Sequence, residues 1–109
     1  MKHYLGELEE LALLAIASLV SNAYGVSVKE LLEERTGRTM TIGALHSTIT
    51  RLEEKGYVTS YLGEPTQERG GRRKRLYELT KSGKAALHEA KSIRDDLWLS
   101  AKAELSYTK

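Results

Sequence analysis

Cysteine is absent from the 109 residues, which excludes disulfides, thiolate metal sites, thiol redox sensing and a cysteine nucleophile. Aspartate occurs only as the adjacent pair Asp95 and Asp96, and the histidines His3, His46 and His88 are far apart, with no HxxxH or HxH spacing for a metal. The glycines form neither GxGxxG nor GxxxxGK, so no phosphate-cradling loop is written in the chain. An enzyme would have to be assembled from scattered Glu, Ser and Lys, so no catalytic residues, metal or cofactor are expected. Aromatic residues make up only 6%, and without exposed aromatic clusters a surface for stacking single-stranded bases has little to build on. No apolar run approaches the ~18 residues that a membrane span requires. Met1-Lys2-His3-Tyr4 leads into Glu7, Glu9 and Glu10, the wrong flank for a secretory signal. The expected protein is soluble and cytoplasmic.

The length, with 40% hydrophobic and 29% charged residues, suits one compact unit. From Leu5 to Val20 the positions Leu8, Leu11, Ala12, Ala15, Ile16 and Leu19 recur at helical steps, and Leu13, Leu14, Ala17 and Val20 widen the stripe. So broad a face fits burial against both the domain and a partner chain, and equally the central helix of a monomer. Ser27 and Glu30 read as a capping box before a second helix from about Val28 to Arg35, closed by Gly37. Thr41 can cap a third helix with Ile42, Leu45, Ile49 and Leu52 on one face and Gly56 as its stop.

Tyr57 to Leu62 and Lys74 to Leu79 read as two strands joined by a protruding loop, Gly63 to Gly71, that holds the only proline, Pro65. Thr39 to Thr41 could add a short bridge to this hairpin. Thr80 caps a last helix whose stripe of Ala86, Leu87, Ala90, Ile93, Leu97, Ala101 and Leu105 runs nearly to the end. The fold class is therefore mainly α with a small β-hairpin: a winged helix-turn-helix over 1–80 and a long C-terminal helix over 81–109 that needs something to pack on.

The net charge is only +2, but Arg69-Gly70-Gly71-Arg72-Arg73-Lys74-Arg75 holds five cations and no acid. Without them, 12 basic residues face 15 acidic ones and the remainder is net −3. Five like charges beside two glycines repel one another unless a polyanion is present, which suits an arm that tracks phosphates; the plainer reading is a solvated tip. Arg72, Arg73 and Arg75 can donate paired hydrogen bonds to phosphate or reach a groove edge, and Arg69 and Lys74 look like phosphate contacts. On the third helix Gly43, Ala44, Ser47, Thr50, Arg51 and Glu54 lie opposite the apolar face. Gly43 and Ala44 are small enough for the helix start to approach a phosphate, leaving Ser47, Thr50 and Arg51 for base edges or the backbone. Taken singly, each is an ordinary solvent-facing residue; together with the cationic loop they point to double-stranded DNA.

These segments resemble the PadR family of transcriptional regulators. The likeness rests on Leu5-Gly6-Glu7-Leu8, Leu11 to Ile16, Ala23-Tyr24-Gly25-Val26, Thr41-Ile42-Gly43-Ala44-Leu45, Arg51-Leu52-Glu53-Glu54-Lys55-Gly56, Arg69 to Lys74, Tyr77 and Leu79-Thr80. It spans the chain in the family's order and looks like the short subfamily with one C-terminal helix. The resemblance implies a homodimeric repressor on a palindromic operator, with Thr41, Gly43, Ala44, Ser47 and Arg51 on the recognition helix and Gly70, Arg72, Arg73 and Lys74 on the wing. Its dimer is built from the first and last helices, here Leu8, Leu11, Leu14, Ile93, Leu97, Trp98, Ala101 and Leu105.

One position departs from the pattern. After Gly-Ala-Leu the family usually has tyrosine, and here stands His46, which can replace it as a DNA contact or sit at the edge of the helix interface. Tyr24 is expected to pack and fix the turn. Some family members bind flat aromatic compounds at the dimer centre against a tryptophan, which makes Trp98 the residue for a small aromatic effector; as a packing anchor it needs no ligand. The rival functions are a winged-helix protein-interaction module with no specific DNA target and an RNA-binding winged helix.

Overall fold

The computed structural model describes residues 4–65 and 73–106. The elements are α1 (Glu7–Ser18), α2 (Gly25–Thr36), α3 (Ile42–Glu54), β1 (Val58–Pro65), β2 (Arg73–Leu79) and α4 (Lys81–Leu105). Three helices followed by an antiparallel hairpin and a long helix make the expected winged helix-turn-helix with a C-terminal helix.

Helix α1 is shorter than the Leu5 to Val20 stripe. Glu7, Glu9 and Glu10 crowd its first turn, where the helix dipole favours anions, and Glu9 Oε1 accepts the Gly6 N–H at 2.7 Å. Its end is set by Ser21, whose φ of 63° lies in the left-handed region and turns the chain toward α2. That second helix starts at Gly25, a turn earlier than the Ser27 box predicts. Ser27 is not the cap: it is the third helical residue, and its Oγ accepts the Tyr24 N–H at 3.0 Å while lying 2.7 Å from the Asn22 carbonyl. Gly37, at φ 72°, closes α2 as expected. The turn that follows is held by Glu33, which accepts the Met40 N–H at 2.9 Å and pairs with Lys29 at 3.2 Å.

Thr41 caps α3 through Oγ1, which accepts the Ala44 N–H at 3.0 Å. The buried side chains Leu45, Ile49 and Leu52 meet Ala12, Leu13 and Ile16 of α1 and Val28 and Leu32 of α2 in one core. Each large aliphatic there contributes about 1.5–3 kcal/mol by leaving water.

The strands run further than expected. Pairing continues from Val58↔Leu79 to Leu62↔Arg75, shifts register, and resumes at Pro65↔Arg73, so Pro65 ends a strand instead of lying in a loop. No bridge comes from Thr39 to Thr41: among the described residues the sheet has two strands, and β2 is tied to the helices by the Tyr77 N–H, which donates to the Ala23 carbonyl at 2.8 Å. Tyr77 itself is buried.

Thr80 caps α4 as predicted, accepting the Gly83 N–H at 3.0 Å and donating to the Gly56 carbonyl at 2.6 Å. Gly83 is the only buried residue of this helix, and a Cβ there would collide with the Tyr57 carbonyl, so the close approach demands glycine. The 25 residues of α4, at about 1.5 Å each, carry it past the body of the domain.

Candidate nucleic-acid interface

One face of α3 is buried and the other is open. Thr41, Gly43, Ala44, His46, Ser47, Thr50 and Arg51 are all exposed, as helical spacing predicts for Gly43, Ala44, Ser47, Thr50 and Arg51. A Cβ built on Gly43 would meet nothing within 4 Å. No neighbour within the chain therefore requires a glycine at this position, which costs helix stability relative to alanine.

Arg51 is less free than the sequence suggests. Its Nε lies 3.6 Å from Glu9 Oε2 and its Nη2 donates to Thr48 Oγ1 at 3.2 Å, although 54% of the side chain stays exposed. Thr48 is buried and donates to the Ala44 carbonyl at 3.0 Å. Glu9 is the centre of this cluster: its side chain is 7% exposed, and both carboxylate oxygens lie 2.9 Å from Lys55 Nζ, which also donates to the Tyr4 carbonyl at 3.2 Å. Burial pushes the Glu9 carboxyl up, but the Gly6 amide, Lys55 and Arg51 outweigh it and hold it below the usual glutamate value. Sequence reading missed Glu9, Thr48 and Lys55. The available signal is that Glu9 shares the 9, 12, 13, 16 stripe with Ala12, Leu13 and Ile16, an acid at a core position.

His46 lies against the start of α2: its Nε2 is 3.1 Å from the point a Gly25 Cβ would occupy, with Ile42 Cδ1 at 3.4 Å. The imidazole is thus exposed at the edge of the α2–α3 interface, the second of the two sequence alternatives.

On the hairpin, Arg73 and Arg75 are exposed and Lys74 between them is half-buried. Arg75 Nη1 donates to Ser60 Oγ on the paired strand at 2.9 Å. Lys74 Nζ sits over the Tyr24 ring, 4.2 Å from its centroid, which agrees with Tyr24 as a packing residue of the turn. The expected contacts Arg69, Gly70 and Arg72 lie outside the described residues.

A second feature lies beside α4. Leu8 and Leu11 pack partly against the core, Leu14 is 46% exposed, and on α4 Ile93, Leu97, Trp98 and Leu105 are exposed while Ala101 is half-buried. Leu97 and Trp98 show 62% and 64% of their surfaces to solvent. A groove of about 830 Å³ runs between α1, β2 and α4, with Leu14, Val20, Leu87, His88 and Trp98 on its walls. At its side Arg94 clamps Glu10, with the shortest contact at 2.6 Å. Among the described residues no group of three or more His, Cys, Asp or Glu could hold a metal, and no helix is long and apolar enough to cross a membrane.

The profile of the transcriptional regulator PadR-like family matches residues 13–89. No curated protein matches the sequence. Solved structures share the fold: a PadR family transcription regulator from Clostridium difficile R20291 is 22% identical, with a TM-score of 0.69 over 93% of this chain and 100% of that one. A PadR-like transcription factor from Bacteroides fragilis is 24% identical, with a TM-score of 0.72 over 88% and 87% of the two chains. A PadR family transcriptional regulator from Eggerthella lenta is 23% identical, with a TM-score of 0.68 over 94% and 88%.

Proposed function

The chain belongs to the PadR-like family of transcriptional regulators, a family of regulators and not of enzymes, and from that premise we propose that it is a homodimeric repressor that binds a palindromic operator in duplex DNA. The observation that carries this reading is the open N-terminal half of α3, where Gly43 has no intramolecular reason to be glycine. A phosphate can approach the first turn, where the Ile42 and Gly43 amides precede the capped Ala44 amide, with Ser47, Thr50 and Arg51 placed behind them for base edges or backbone. The exposed Arg73 and Arg75 of the wing add phosphate contacts that supply affinity without sequence choice.

The unburied stripe of α4, with Leu14 of α1, supports a second copy of the chain as the dimer partner. Two recognition helices one helical turn of DNA apart, about 34 Å, then read two half-sites. The groove walled by Trp98 supports a flat aromatic effector that would change the angle between the two heads and release the operator. The test is fluorescence anisotropy with duplex DNA at several salt concentrations. Affinity should fall steeply with salt, by a slope of about 0.9 per phosphate contact. A flat response, or no binding, would instead favour a protein-interaction module.

A further inference from the structure

The three consecutive cations of β2 are not equivalent. Arg73 and Arg75 are exposed, while Lys74 is half-buried, with its ammonium 4.2 Å from the centre of the Tyr24 ring. To reach a phosphate that ammonium would have to leave the ring. We propose that Lys74 is a positioning residue: it pins the wing to the Tyr24-Gly25 turn, and through that turn fixes the wing relative to the recognition helix. The proposal rests on the reading that this face binds duplex DNA.

Two independent ties hold β2 to the turn before α2. One is the backbone bond from the Tyr77 N–H to the Ala23 carbonyl at 2.8 Å, and the other is Lys74 on Tyr24, the next residue. Tyr77 lies buried at the base of the hairpin and Lys74 toward its tip, so the first fixes the base and the second adds a hold nearer the tip. That second point of attachment narrows the motion of the outer part of the strand, on the scale of one cation–π contact. From the turn the contact chain continues into α3, because Gly25 follows Tyr24 and the His46 ring rests on it, 3.1 Å from the position of a Cβ. Wing, turn and recognition helix therefore meet at Tyr24-Gly25. A wing held at a fixed angle loses less conformational freedom when it meets DNA, which raises affinity without adding a phosphate contact.

The salt dependence of binding separates this role from a phosphate contact. Anisotropy titrations of the full chain with a fluorescent duplex, at several salt concentrations, compare wild type with Tyr24→Leu, Lys74→Gln, the double variant, Lys74→Arg and Arg73→Ala. Lys74→Gln and Tyr24→Leu should each weaken binding about two- to five-fold, the scale of one cation–π contact. Both should leave the salt slope at the wild-type value, and the double variant should be no weaker than either single one. Lys74→Arg, which keeps the cation on the ring, should restore wild-type affinity. Arg73→Ala should lower the slope by about one. A slope that falls by about one in Lys74→Gln overturns the proposal, as do losses that multiply in the double variant. That reading is taken on Lys74→Gln with its thermal transition intact, so it stands even where Tyr24→Leu fails to fold. A wild-type protein with no salt-dependent affinity fails at the earlier step and rejects DNA binding itself.

Discussion

Glu9 at the start of α1 and Lys55 at the end of α3 are joined through both carboxylate oxygens, each 2.9 Å from the ammonium, although 46 residues separate them in the chain. The next residue, Glu10, turns the other way and takes Arg94 of α4 at 2.6 Å. Neighbouring acids on one helix thus pair with the C-terminal end of α3 on one side of α1 and with the long helix α4 on the other.

Replacing the Glu9 carboxylate by an amide removes the charge that pairs with Lys55 and leaves one acceptor oxygen for both Lys55 and the Gly6 amide, at a site where the side chain is only 7% exposed. Glu9→Gln should cost about 1–3 kcal/mol of stability by chemical denaturation, the cost of leaving buried polar groups poorly paired. An unchanged midpoint would mean that the cluster is held by the surrounding packing alone.

The same carboxyl makes stability depend on pH. Because its folded value lies below the ordinary one, its contribution is complete above the unfolded value and is lost as pH falls through the folded value. Thermal midpoints of the wild type should therefore drop more between neutral pH and about pH 3 than those of Glu9→Gln. Parallel curves would assign the acid sensitivity to other groups.

Gly83→Ala places a methyl group into the Tyr57 carbonyl. The start of α4 must then move off the hairpin, and a loss of about 1–3 kcal/mol is expected from the thermal transition. Gly43→Ala should behave in the opposite way. With open space around its Cβ, the variant should be as stable as wild type or up to about 1 kcal/mol more so, yet bind DNA less tightly. Equal affinity would remove close approach at Gly43 from the account.

Leu97 is 62% exposed, so Leu97→Glu should leave the head folded by circular dichroism while separating the proposed dimer in sedimentation velocity. An intact dimer would locate the interface elsewhere.

Much of this arrangement is written in local pattern. The stripe Ile42, Leu45, Ile49 and Leu52, the Thr41 and Thr80 caps and the Gly37 stop all sit where their spacing puts them, and the open face of α3 follows from the same periodicity. What escaped lies in backbone geometry or in partners distant in sequence. The start of α2 was hidden because Ser27 and Glu30 imitate a capping box while the true cap involves Tyr24 and Asn22. The Tyr77 to Ala23 bond uses backbone atoms and leaves no trace in side-chain type. Strand pairing through Pro65 depends on a register shift that a proline ordinarily argues against. Arg51 and Lys74 read as free cations because neither Glu9 nor Tyr24 is near them in the sequence.

Selection of bound duplexes from a random DNA pool is the most direct test of the α3 face and the wing as one operator-reading surface. The expected product is a single enriched motif of two inverted half-sites whose centres lie about one helical turn apart, lost when Ser47 and Arg51 are replaced by alanine. A pool that retains binding but shows no common motif, or an enriched motif without twofold symmetry, would contradict it.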